Sequence, residues 1–168
     1  MSTTHSEQAP REDLELRARA DHHASLRLWL RLLSCTTRVE DKIRQNLRES
    51  FDITLPRFDL MAQLERHPDG LTMGELSRRM MVTGGNITTI VDQLEKEKLV
   101  LRQVGATDRR SFMVKLTKAG RDAFADMAVA HEEWVAELFV GLSKNQQNQL
   151  HSLLGALKKN LQKQEETS

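Results

Sequence analysis

Apolar residues recur at helical spacing from Leu14 to about Ser50, and Val39, Ile43, Leu47 and Phe51 stand four apart, lining one face of a long helix. A second helix is predicted from Pro56, a residue favoured in a first turn. It turns Phe58, Met61 and Leu64 inward and stops at His67-Pro68-Asp69-Gly70. Thr72-Met73-Gly74-Glu75 has the form of a capping box, in which the threonine side chain accepts from the third amide while the glutamate reaches back. A short helix to about Met81 should follow. Thr83 offers another N-cap, and Ile87, Ile90, Val91 and Leu94 define an amphipathic helix. The other side of that helix carries Gly84, Gly85, Asn86, Thr88, Thr89, Asp92 and Gln93.

After Leu99 the period changes from that of a helix to that of a strand. Val100-Leu101-Arg102-Gln103-Val104 reads as one strand, and Phe112, Val114 and Leu116 alternate on a second, with Gly105 to Ser111 as the hairpin between them. Thr117 can cap a long helix bearing Phe124, Met127, His131, Trp134, Leu138 and Phe139 on one side, with Gly141 as its stop. Ser143-Lys144-Asn145-Gln146 is a second capping box. It opens a last helix with Leu150, Leu153, Leu154, Leu157 and Leu161 in a stripe ending near Gln164.

Short helix, turn, helix and hairpin is the order of a winged helix-turn-helix. The expected fold is mainly α with a small β-hairpin wing, flanked by long N- and C-terminal dimerisation helices. Residues 1–13 are expected to be a disordered tail, 14–53 and 118–164 the helical dimerisation region, and 54–117 the DNA-binding region. A small winged domain cannot cover both the apolar face of the first helix and the leucine stripe of the last. A second copy would bury both; the alternative is a helical hairpin within one chain.

Composition narrows the function classes. The chain has 168 residues, 39% of them hydrophobic, with a mean hydropathy of -0.53, as in a soluble protein. It has no apolar run long enough for a membrane-spanning helix, and the first residues show no apolar signal core. One cysteine, Cys35, fits a reducing cytoplasm. The net charge of +1 says little, but Arg102, Arg109, Arg110, Lys115 and Lys118 cluster against Asp108 alone.

On these residues the sequence resembles the MarR family of bacterial transcription regulators. The family's wing signature, D-x-R-x-x-x-V-x-L-T, stands complete from Asp108 to Thr117 and is followed by Gly120. Gly85-Asn86-Ile87-Thr88 and Val91-Asp92-Gln93-Leu94-Glu95 look like its recognition helix, and the likeness runs from about His22 to Leu161. One departure is Lys98, where many relatives end that helix with glycine. The resemblance implies a homodimer on double-stranded DNA with a pseudo-palindromic operator, and repression as the commoner mode of action.

Base reading is expected from Thr83, Gly84, Gly85, Asn86, Thr88, Thr89 and Gln93. A recognition helix enters the major groove by its N-terminal residues, where asparagine pairs with adenine and threonine methyls meet thymine. The glycines permit close approach of a helix end to phosphate. In the wing, the resemblance implies that Arg110 enters the minor groove, held by Asp108. Arginine suits the enhanced negative potential of a narrow groove. Arg109 and Arg102 complete the basic wing set, with Arg109 as a phosphate contact that positions without specifying.

A small-molecule effector is also implied by the resemblance, commonly an aromatic acid bound between the dimerisation and DNA-binding regions. An aromatic carboxylate or its coenzyme A thioester needs an apolar slot with a cation. The candidates are Arg17, His22, His23, Trp29 and Arg38 on the first helix, and Arg57, Phe58 and Met61 on the second. Trp29, Phe58 and Cys35 are each expected in the core by default. A redox response through Cys35 is the rival reading, and a protein-interaction module on the same fold another. No H-x-x-x-H pair, phosphate loop or nucleophile-base spacing is present. No metal, cofactor or enzymatic activity is therefore expected.

Overall fold

The computed structural model describes residues 24–80, 87–104 and 112–166. The elements are α1 (Ala24–Phe51), α2 (Leu55–Glu65), β1 (Leu71–Thr72), α3 (Met73–Arg79), α4 (Ile87–Lys96), β2 (Val100–Val104), β3 (Phe112–Leu116), α5 (Lys118–Leu138) and α6 (Lys144–Glu166). The chain divides into two compact units at Gln45/Asn46. The expected tail at 1–13 and helix start at Leu14 lie outside the described residues.

In the first unit, no residue from Ala24 to Lys42 is fully buried, and Ile43 is the first that is. Two expectations are thereby corrected. Trp29 is 55% exposed and Cys35 is exposed, because none of the described residues encloses them.

The second unit has a close-packed core. Leu47, Leu60, Met61, Leu64, Leu76, Val91, Leu94, Val100 and Val114 are each fully enclosed. Burying side chains of this size contributes roughly 1.5–3 kcal/mol apiece. Helix α2 starts one residue before the expected Pro56, with Thr54 as N-cap and proline in its first turn. It turns Phe58, Met61 and Leu64 inward as expected, together with Leu55 and Leu60.

The Thr72 capping box is complete: the Glu75 amide donates to Thr72 Oγ1 at 3.2 Å, and the Thr72 amide donates to Glu75 Oε2 at 2.8 Å. The Thr72 amide, together with the Thr72 hydroxyl that also donates to Glu75 Oε2 at 2.8 Å, holds the Glu75 carboxyl below its usual range. Helix α3 ends at Arg79, short of Met81, which lies outside the described residues.

The sheet has the order β1-β3-β2, antiparallel throughout. Strands β2 and β3 fall where the alternation places them, paired from Val100–Leu116 to Val104–Phe112. Strand β1 was not expected. Two residues carry no readable period, and the strand exists because Gly70, at φ +92°, turns Leu71 alongside Val114. A β-carbon on Gly70 would stand 2.8 Å from the Val114 carbonyl oxygen.

Thr117 caps α5 by accepting from the Gly120 amide at 2.9 Å, and Ser143 with Gln146 forms the second capping box. Helix α5 closes at Leu138, before the expected glycine stop. Helix α6 has no buried residue: Leu150, Leu153, Leu154, Leu157 and Leu161 are all exposed. Among the described residues, none covers the leucine stripe.

Candidate nucleic-acid interface

Helix α4 buries Ile90, Val91 and Leu94 and leaves Thr88, Thr89, Asp92 and Gln93 exposed. At 3.6 residues per turn, Lys96 points most directly away from the core, between Thr89 on one side and Asp92 on the other, with Gln93 farther round on the first side and Thr88 and Glu95 on the second. Thr88, Thr89 and Gln93 thus share the outward side expected of base-reading residues. Thr83, Gly84, Gly85 and Asn86 lie outside the described residues, as do Asp108, Arg109 and Arg110.

The end of α4 forms a Schellman cap. The Lys98 amide donates to the Glu95 carbonyl and the Leu99 amide to the Leu94 carbonyl, both at 2.9 Å, with Lys98 at φ +62°. Lysine therefore adopts the left-handed conformation that glycine takes without strain, and the turn is kept despite the departure noted in the sequence.

Arg102 occupies the inner face of β2 and does not project freely. Its guanidinium forms ion pairs with Asp92 and Glu95 on α4, and its amide donates to Glu95 Oε1 at 3.1 Å. The side chain is 26% exposed. The hydrogen bond to Asp92 and the two negative charges raise its pKa further above the usual arginine value. Asp92 and Glu95 were not singled out from the sequence as its partners. The available signal was an arginine between inward Val100 and outward-tapering Val104, opposite acidic residues three apart on the preceding helix.

Sequence reading also passed over Arg78 and Arg79. Both are exposed in the last turn of α3, the helix that precedes the reading helix. On the hairpin, Phe112 was expected to alternate inward, but it is 53% exposed, because the strands extend beyond the core at that end.

The residues expected to hold an effector are distributed as follows. Arg17, His22 and His23 lie outside the described residues. Trp29 and Arg38 are exposed in the first unit. Met61 is fully enclosed in the second, and Phe58 packs between Phe124 and His131, at ring-centroid distances of 5.4 and 4.9 Å. Arg57 lines a cavity of about 220 Å³, with Phe51, Asp52, Glu97, Leu99, Asp126 and Met127 among its walls. Its guanidinium pairs with Glu97, and its Nε is buried without a hydrogen bond among the described residues. Among the described residues no group of His, Cys, Asp or Glu is placed to hold a metal ion. No helix among them is long and apolar enough to cross a membrane.

Capped helix α3, helix α4 with a polar outward side, and a hairpin running directly out of it define a winged-helix DNA-binding protein. Comparison with known proteins agrees. The family model for the MarR family matches residues 51–111. The uncharacterised HTH-type transcriptional regulator YhbI of Bacillus subtilis is 31% identical over 121 residues, covering 71% of this chain and 77% of that protein. The crystal structure of a MarR family transcriptional regulator from Silicibacter pomeroyi superposes with a TM-score of 0.74 at 33% identity, over 85% of this chain and 99% of that one. BpsR of Bordetella bronchiseptica, whose DNA binding is regulated by 6-hydroxynicotinic acid, shares the fold at a TM-score of 0.69 and 19% identity, over 83% and 98% of the chains.

The chain belongs to the MarR family. It is a DNA-binding transcription regulator and not an enzyme.

Proposed function

We propose that the protein is a homodimeric, sequence-specific repressor acting in the cytoplasm, released from a pseudo-palindromic operator by a small effector. The observation that carries the DNA-reading part is α4, whose buried stripe leaves Thr88, Thr89 and Gln93 outward at the helix that leads into the hairpin. Thr83, Gly84, Gly85 and Asn86, which precede that helix in the sequence, meet base edges. Arg110, steadied by Asp108, enters the minor groove, and Arg109 meets phosphate. Arg78 and Arg79 join them as phosphate contacts, since the first helix of such a motif crosses the backbone.

A salt titration of operator binding tests this reading. Phosphate neutralisation makes log K fall with log salt by about 0.9 per contact. Arg110→Ala should lower operator affinity by tenfold or more while the sizing profile stays unchanged. Full operator affinity in that variant would remove the wing assignment. A flat salt dependence would favour a protein-interaction module.

The dimer is supported by α6, where a leucine stripe has no cover among the described residues. The effector reading is supported by the Arg57 cavity, which offers apolar walls and a buried donor without a partner. An aromatic acid, free or as its coenzyme A thioester, would place its carboxyl or carbonyl oxygen on Arg57 in exchange for Glu97. BpsR, with an aromatic acid as its regulator, gives the precedent within the fold.

The carboxylates of Asp52, Glu97 and Asp126 share that cavity and favour a second reading, an aromatic cation. Calorimetry with benzoate-class acids, their thioesters and aromatic amines decides between the two. No heat from any of them, with DNA binding unchanged, would exclude the cavity as the effector site. Peroxide-dependent release that disappears in Cys35→Ser would put redox sensing in its place.

A further inference from the structure

We propose that Arg102 is a positioning residue rather than a DNA contact: it clamps the recognition helix to the strand that carries the wing, fixing the angle between the two reading devices. Its guanidinium fork engages Asp92 and Glu95, one helical turn apart on the flank of α4, while its own backbone amide donates to Glu95. Glu95 therefore grips both the main chain and the side chain of one residue. Two further residues along β2, at Val104, the described strand ends.

Physical consequences follow from where the charges sit. Asp92 is exposed on the flank of the helix that meets DNA, where an unpaired carboxylate would repel phosphate. Arg102 offsets one of the two negative charges and spreads its guanidinium over both carboxylates, which leaves the arginine little capacity for a phosphate. Fork-like pairing by two nitrogens also fixes orientation, which a single lysine ammonium does not. Across the sheet, Val114 opposite Arg102 is fully buried, so the base of the strand is anchored in the core. The clamp thereby ties a rigid strand to α4 at the point where the hairpin leaves the body.

This inference rests on the reading of α4 and the hairpin as the DNA-contacting elements. Arg110→Ala in the same experiment separates the two, because full operator affinity in that variant would remove the underlying reading. The test compares operator and scrambled DNA across a salt series for wild type, Arg102→Gln, Arg102→Lys and Asp92→Asn. In Arg102→Gln the operator affinity should fall by tenfold or more and by a clearly larger factor than the affinity for scrambled DNA, which falls as well because the freed carboxylates repel phosphate, while the salt slope changes by less than one contact. Arg102→Lys should recover only part of the loss.

Asp92→Asn gives the sharpest sign. Removing a negative charge beside DNA should tighten binding to any sequence, whereas losing one arm of the clamp should lower the ratio of operator to scrambled affinity. Asp92 is exposed, so this variant keeps the fold even where Arg102→Gln does not. A salt slope reduced by about one in Arg102→Gln would make Arg102 a phosphate contact and overturn the proposal. An unchanged affinity ratio in Asp92→Asn would overturn it as well.

Discussion

The carbonyl oxygen of Leu99 occupies the space that a β-carbon on Gly120 would fill, and the Leu99 carbonyl carbon would be 2.9 Å from that atom. The oxygen cannot move aside cheaply, because it accepts the Thr117 amide at 3.0 Å. Thr117 Oγ1 donates to the Lys98 carbonyl at 2.7 Å and accepts the Gly120 amide. One threonine and one glycine at the start of α5 thus lock onto the turn that ends α4.

Gly120→Ala should therefore destabilise the fold by about 1–3 kcal/mol, the usual range for overpacking a site that cannot relax. Urea unfolding should show a lower midpoint with an unchanged slope. A midpoint equal to wild type would mean that α5 can shift away from Leu99 without loss.

Lys98→Gly acts at the other side of the same junction and should have the opposite sign. A left-handed residue other than glycine carries a penalty of roughly 1–2 kcal/mol, and glycine's extra freedom in the unfolded chain takes back roughly 0.5–1 kcal/mol of that. The expected net gain is several tenths of a kcal/mol to about 1 kcal/mol, or a few degrees in melting temperature for a chain of this size. A drop in the melting point would show that the lysine side chain makes a stabilising interaction greater than the backbone strain.

This junction also shows what the sequence made legible. Strong local signals were read correctly: the Thr72 and Ser143 boxes, the stripe of α4, and the switch to strand period at Val100. Long-range relations were not. Nothing local says that Leu99 will lie under Gly120, that Arg57 will pair with Glu97, or that Arg102 will reach back to Asp92 and Glu95. Each depends on how separate elements come together. Exposure of Cys35 and Trp29 was misread for a related reason, since helical periodicity shows which residues share a face but not what covers it.

His131 provides a pH-dependent test. Its ring lies 4.9 Å from the ring of Phe58, and burial lowers its pKa from the usual value near 6.5. Between the folded and unfolded values the unfolded chain binds more protons, so stability rises with pH there. This contribution is complete above about 6.5 and is lost as the pH falls toward the folded value. His131→Phe keeps an aromatic ring against Phe58 and should flatten that part of the stability profile. Glu75 titrates lower: its depressed pKa gives stability that is present above the ordinary carboxyl value near 4.5 and lost below it. Denaturant melts across the mildly acidic range distinguish the two. An unaltered slope in His131→Phe would assign the proton uptake elsewhere.

The leucine stripe of α6 makes the assembly testable by a change that one isolated chain would barely register. Leu150, Leu154, Leu157 and Leu161 follow one another by four, three and four residues, so they share a face, and none is buried by its own chain. In a monomer, Leu154→Glu with Leu157→Glu would alter exposed positions, where substitutions usually shift stability by no more than about 0.5 kcal/mol. In a homodimer packed through this stripe, the same pair sets charges from both copies into an apolar interface, and burial of unpaired carboxylates is strongly unfavourable. The variant should therefore run at half the wild-type mass in sizing experiments. Its unfolding midpoint should lose the dependence on protein concentration that a dimer shows. Operator affinity should fall with it, because each copy then holds one half-site without the other. A variant that keeps the dimer mass would place the interface on other surfaces and leave the stripe without a partner.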